Sequence, residues 1–218
     1  MEIKGLKIAF LGDSITEGVG ATSPDKVFHG ILKERCALND ALNFGKSGTR
    51  IARQTKTYNN RTEWDASFIS RVDSIPSDVD MVVVFGGTND YDHGDAKFGL
   101  FDDREDDSFY GALHQLLKSL IKKFPDKTIT FMTPIHRFDE YDCSLAKVYK
   151  GHSLSEYVSA IKEVCAFYSV PVLDLYATSG MNPCIPEQNV YFFKDGVHPN
   201  DNGYLRIADR LEGFLKSL

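Results

Sequence analysis

The chain has little with which to hold a polyanion or a membrane. Its 25 lysines and arginines are outnumbered by 31 aspartates and glutamates, giving a formal charge of −6 at pH 7. No stretch gathers the basic residues that a nucleic-acid groove or an anionic lipid surface requires, so neither is an expected partner. Long apolar runs are missing as well. The first one, Ile8 to Leu11, is too short for a membrane span or for the core of a signal peptide. That predicts a cytoplasmic protein, although a secreted chain trimmed of its leader would read the same. Cysteine is sparse. Cys36, Cys143, Cys165 and Cys184 stand far apart, with no C-x-x-C pair for zinc or redox chemistry, and they read as mostly reduced, structural residues. Repeats, linkers and low-complexity segments are absent too.

What is present suffices for one substantial core. With 218 residues, 42% of them hydrophobic, the expectation is a single domain over 1–218. Apolar runs bounded by turn signals recur at 6–12, 41–45, 80–87, 127–134 and 170–175, and read as five buried parallel strands. Helical periodicity lies between them. It is clearest over 108–124, where Phe109, Leu113, Leu116, Leu117, Leu120 and Phe124 share one face. Further helices are predicted from Leu154 and from Asn202 to the end. Strands regularly separated by helices imply an α/β protein, an open parallel sheet covered on both faces.

Ligands of such sheets bind outside the carboxyl ends of the strands. Three connections are long, at 88–107, 134–153 and 174–201, as binding loops are. The acidic run "DDREDD" at 102–107 reads as a solvated loop whose last acids favour the next helix N-terminus.

Four short blocks fall at the expected edge: Gly12-Asp13-Ser14 after the first strand, "GKSGT" (45–49) after the second, "GGTND" (86–90) after the third, and "DGVHPN" (195–200) before the last helix. Taken singly, each also reads as a turn or a helix cap. Together they supply what acyl transfer requires. His198 can accept the proton of Ser14, and Asp195, three residues earlier, can hold the imidazole in the needed tautomer. The backbone N–H groups of Ser14 and Gly48 and the side-chain amide of Asn89 can converge on an oxyanion.

On these blocks the chain resembles the SGNH hydrolase superfamily, the GDSL-type esterases and lipases. "GDSIT" matches the first block with Ser14 as nucleophile, Gly48 the second, Gly87-Thr88-Asn89-Asp90 the third, and Asp195 with His198 the last. The resemblance extends in family order from residue 12 to residue 200. It implies a three-layer α/β/α fold with a flavodoxin-like five-stranded sheet in order 2-1-3-4-5, and ester hydrolysis without a cofactor. One departure stands out. Many relatives read "SGDT" in the second block, whereas here Thr49 directly follows Gly48, so no contact of that aspartate carries over.

A nucleotide-binding module is the rival from another class, since "GVGATS" (18–23) and "GKSG" (45–48) superficially resemble phosphate loops. The first lacks the third glycine, and the second has Asp40 where a phosphate loop needs glycine. A binding protein of the same shape without catalysis is a second rival, opposed by the intact Ser14, Asp195 and His198. Asp13, Trp64, Tyr91 and His136 are candidate substrate contacts, with His93, Arg137 and Tyr141 also in or beside the long connections. No third ligand accompanies His93 and His136 at suitable spacing, so no metal is expected. Loops that are polar, acidic and sprinkled with aromatics suit a small-molecule or carbohydrate ester, in particular a sugar O-acetyl group, rather than a long acyl chain.

Overall fold

Along the first strand, β1 (Lys7–Gly12), side chains alternate between two cores: Ile8 and Phe10 enter one cluster, Ala9 and Leu11 the other. This is the period of two expected of a strand buried on both faces. The computed structural model describes residues 1–140 and 151–218; Tyr141 and Cys143 lie outside them.

After β1 come helices α1 (Ser14–Glu17) and α2 (Phe28–Arg35), strands β2 (Asp40–Gly45) and β3 (Met81–Phe85), and helices α3 (Thr88–Asp92) and α4 (Phe109–Lys123). Then follow β4 (Thr128–Met132), α5 (Leu154–Phe167), β5 (Val172–Leu173), α6 (Leu175–Thr178), α7 (Pro186–Phe192) and α8 (Asp201–Ser217). The strands form one five-stranded sheet in the order β2-β1-β3-β4-β5, every pair parallel, as the resemblance implies.

The two clusters make the three layers. Val82, Val84 and Phe131 face Leu113, Leu116, Leu117 and Leu120 of α4 and Tyr157, Ile161 and Val164 of α5. On the other side Val83, Phe85 and Met132 meet Phe28 and Leu32 of α2 and Tyr204, Ile207, Leu211 and Leu215 of α8. Each fully buried Leu or Ile contributes roughly 1.5–3 kcal/mol. Side-chain caps start the long helices where the apolar periodicity begins. Ser108 accepts from Gly111 N at 3.1 Å, Ser153 and Glu156 make a capping box, and Asn200 accepts from Asn202 and Gly203 N at 3.0 and 3.2 Å.

Three expectations need correction. β2, at the edge of the sheet as the implied order has it, is only half-buried rather than buried, because one of its sides has no neighbouring strand. β5 pairs over two residues only, because Asp174 already caps α6 by accepting from Ala177 N at 3.1 Å. Cys36 and Cys165 are free thiols, the latter buried and pushed up to about 12 by desolvation, but Cys184 is disulfide-bonded. A disulfide depends on which residues meet in space, and sequence spacing does not reveal that. Among the described residues no helix is long and apolar enough to cross a membrane.

Strand register decides where the four blocks meet. Gly12 aligns with Gly45 on β2 and with Phe85 on β3, so the chains leaving these strands emerge side by side. The chain passes from β1 to β2 on one side and continues to β3 on the other, and the crevice opens at that reversal. Gly12 must be glycine for α1 to turn back over the strand end: a Cβ there would lie 1.9 Å from Thr16 Oγ1 and 2.8 Å from Phe85 O.

Candidate active site

Ser14 begins α1 immediately beyond β1, held by its neighbours. The Asp13 carboxylate accepts from Ile15 N at 3.0 Å, and the chain leaves α1 through Gly18 in the left-handed region, φ 107°. Tyr204 of α8 donates its hydroxyl to Ile15 O at 3.0 Å and to Val19 O at 2.8 Å, fixing the short helix from below. The Ser14 hydroxyl sits 2.9 Å from His198 Nε2, and His198 Nδ1 sits 2.8 Å from Asp195 Oδ2. A carboxylate only accepts, so Nδ1 carries the proton and Nε2 is left to accept from Ser14.

The loop carrying His198 is equally constrained. Asp195 Oδ1 accepts from the backbone N–H groups of Val197 at 3.0 Å and His198 at 2.8 Å, and Lys194 N donates to His198 O at 2.8 Å. Desolvation alone would raise the Asp195 carboxyl, yet the bonds from the His198 ring and from these two N–H groups hold it far below the usual carboxylate range. Asp195 is therefore an anion with a fixed orientation.

The second block is pinned at nearly every peptide. Ser47 N and Ser47 Oγ both donate to Glu17 Oε2, the former at 2.7 Å. Thr49 O accepts from Asn89 Nδ2 at 3.0 Å, and the Asp90 carboxylate accepts from Ile51 N and Ala52 N, each at 2.9 Å. Gly48 O accepts from His93 Nε2 at 3.1 Å; His93 Nδ1 stands 3.3 Å from Asp92, which is ion-paired to Arg137 at 3.2 Å. Burial would raise the Asp92 carboxyl, but the hydrogen bond from His93 and the charge of Arg137 bring it down to about 2. The Gly48 N–H has no acceptor among the described residues, whereas the groups around it are engaged. Asn89 spends one amide N–H on Thr49 and keeps the other.

These groups border a cavity of about 580 Å³, lined by Ser14, His198, Asp195, Gly48 and Asn89 together with Val19, Ser47, Tyr58, Arg61, Trp64, Asp92, His93, Arg137 and Val197. Trp64 thus stands where the sequence suggests a substrate wall. Tyr91 and His136 do not. Tyr91 is 1% exposed and packs edge-on against Tyr157 in the core, because α3 turns that side inward. His136 packs at a tilt against Tyr176, 4.0 Å between centroids, and faces Glu140. Asp13 lies beneath Ser14, 2% exposed, and burial raises its carboxyl to about 6 against the pull of Ile15 N–H, His198 and Arg71. Tyr58, Arg61, Asp92 and Val197 went unnoticed in the sequence, where nothing in their spacing distinguishes them from ordinary loop residues.

The sheet order defines the class, a three-layer α/β/α fold of the flavodoxin-like kind, and a serine, a histidine and an aspartate are hydrogen-bonded in line at its carboxyl edge. The chain belongs to the GDSL-like lipase/acylhydrolase family, whose model matches residues 10–206. Among solved structures it is similar to a protein of Lactobacillus plantarum, with 34% identity, 99% of this chain and 98% of that one covered, and a TM-score of 0.85. The fold is shared with a lipase/acylhydrolase from Enterococcus faecalis (20% identity, 97% and 96% covered, TM-score 0.67) and with an acetyl xylan esterase (20%, 95% and 98%, 0.59). No curated protein matches the chain.

Proposed function

We propose that this protein is a serine ester hydrolase that works through an acyl-enzyme, with short-chain esters, in particular O-acetyl groups on a carbohydrate, as substrates. The observation that carries the reading is the line Asp195–His198–Ser14, with heavy-atom distances of 2.8 and 2.9 Å. In this mechanism Ser14 Oγ attacks the ester carbonyl while its proton passes to His198 Nε2, and Asp195 stabilises the resulting imidazolium. The negative charge developing on the carbonyl oxygen is met by the N–H groups of Ser14 and Gly48 and the free amide N–H of Asn89. His198 then gives its proton to the departing alkoxide. Water, deprotonated by the same imidazole, cleaves the acyl-serine and regenerates the hydroxyl.

Two features favour a short acyl group on a polar alcohol. Among the described residues, the aliphatic side chains bordering the cavity are Val19 and Val197, too few to bury a long chain that gains about 0.8 kcal/mol per methylene only when it is covered. The rest of the described wall is aromatic and polar: Tyr58 stacks on Trp64 with ring centroids 5.9 Å apart, and Arg61 and Asp92 stand beside them. Such groups can pack on a sugar ring and bond its hydroxyls. The similarity in fold to an acetyl xylan esterase is in keeping with this substrate class.

The test is kcat/KM for p-nitrophenyl acetate, butyrate, octanoate and palmitate, followed by acetate release from acetylated xylan and acetylated monosaccharides, with Ser14→Ala as control. A maximum at acetate or butyrate and release from at least one sugar are expected. An optimum at octanoate or beyond would overturn the short-acyl assignment. Turnover of simple acetates with none of any acetylated sugar would overturn the carbohydrate assignment and leave a generic acylhydrolase.

A further inference from the structure

Arg71 carries no part of the chemistry described above, yet its side chain reaches the underside of the site. It sits on the 3-10 turn Ile69–Ser74, between β2 and β3, and its guanidinium runs beneath the strand ends, 4.8 Å from the centroid of Phe68. Nη1 donates to Phe44 O at 2.5 Å, and Nη2 donates to Gly12 O at 3.0 Å and to Thr49 Oγ1 at 2.9 Å. Thr49 Oγ1 in turn donates to Lys46 O at 2.7 Å, and Lys46 N donates to Gly12 O at 3.1 Å. One cation thus joins the last residue of β1, the end of β2 and the residue directly after Gly48.

We propose that Arg71 is a positioning residue of the ester-hydrolysing site, clamping the ends of β1 and β2 so that the Ser14 and Gly48 N–H groups are held at the separation an oxyanion needs. The inference rests on the reading of Ser14 as nucleophile and Gly48 as oxyanion donor. Its physical basis is preorganisation. A donor pair stabilises a transition state only if no rearrangement is needed when charge develops, and the segment from Lys46 to Thr49 lies outside the sheet ladder that holds Gly12. The planar fork of a guanidinium can bond three acceptors in fixed directions, whereas the single ammonium of lysine, a point donor on a flexible stem, cannot reproduce them. In this chain Thr49 occupies the place after the second-block glycine, and its hydroxyl is the handle by which Arg71 grips that segment.

The test compares wild type with Arg71→Lys, Arg71→Met and Thr49→Val. Active sites are titrated with a fluorophosphonate, and kcat for p-nitrophenyl acetate is expressed per titrated site. The expected result is a fall in kcat per site of about tenfold to a hundredfold in both Arg71 variants, with KM within about twofold. A boronic acid that forms a tetrahedral adduct on Ser14 should lose affinity in parallel. Thr49→Val should shift the same quantities in the same sense and by less. Wild-type kcat per titrated site in Arg71→Lys, or a raised KM at unchanged kcat, would overturn the clamp. If Arg71→Met fails to fold, Arg71→Lys and Thr49→Val carry the measurement. Undiminished turnover in Ser14→Ala would overturn the nucleophile itself and the clamp with it, an outcome distinct from Ser14-dependent turnover that ignores Arg71.

Discussion

Trp64 lies directly on the backbone of Gly48: a Cβ at residue 48 would fall 2.0 Å from Trp64 Cδ2. Gly48 also has φ 71°, the left-handed region that side chains avoid. Gly48→Ala should therefore displace the ring or the loop, costing about 1 kcal/mol or more of stability and about a hundredfold in kcat for p-nitrophenyl acetate. In the double variant with Trp64→Ala the collision is removed and only the backbone strain remains, so part of the rate should return. Equal rates for the single and double variants would show that the contact is irrelevant to the oxyanion loop.

Ser14 and His198 act as one unit in the proposed mechanism, so their losses should not add. Ser14→Ala, His198→Ala and the double variant are each expected to retain a similar residual rate. Steady-state hydrolysis of p-nitrophenyl acetate, with circular dichroism to show that the fold survives, checks this. Multiplicative losses would mean that the 2.9 Å contact does not carry the proton.

Asn89 offers one amide N–H to Thr49 and keeps the other for the substrate. Asn89→Ala should lower kcat about a hundredfold to a thousandfold, the scale of one lost oxyanion donor. A tenfold rise in KM with kcat unchanged would instead make Asn89 a ground-state binder.

Asp13 should leave a mark on stability as a function of pH. Its ordinary value of 3.8 is raised to about 6 by burial, so between these two values the folded protein binds more protons there than the unfolded chain. This residue's contribution therefore weakens as pH climbs from about 4 to about 6 and is flat above, a loss on the order of 3 kcal/mol. Asn caps helices as well as Asp does, so Asp13→Asn keeps the bond to Ile15 N without the buried charge. The Tm of the variant minus that of wild type should be larger at pH 7.5 than at pH 4. A difference independent of pH would refute the raised carboxyl.

Much of the architecture is written locally. The apolar runs at 6–12, 80–87 and 127–134 become β1, β3 and β4, since a strand buried on both faces must be apolar throughout. The stripe from Phe109 to Phe124 becomes α4, and Ser153 and Asn200 start α5 and α8 where their side chains can satisfy orphan N–H groups. The blocks around Ser14, Gly48, Asn89 and His198 were visible because each pairs a glycine or a turn with a side chain suited to one chemical task, in an order resembling a known family.

Other features depended on which distant segments meet. Tyr91 and His136 looked like wall residues, but helical phase and the neighbours Tyr157 and Tyr176 turned them away from the cavity. Cys184 gained a covalent partner that no spacing announced. Arg71 reads in the chain as an unremarkable base within "SFISRVDS". Only the alignment of Gly12 with Gly45 brings Phe44 O, Gly12 O and Thr49 Oγ1 within reach of one guanidinium. Periodicity and capping are properties of adjacent residues, so sequence alone determined the elements and the four blocks. Hydrogen bonds between segments dozens of residues apart exist only once the sheet has formed, so the tertiary structure alone decided which side chains surround Ser14.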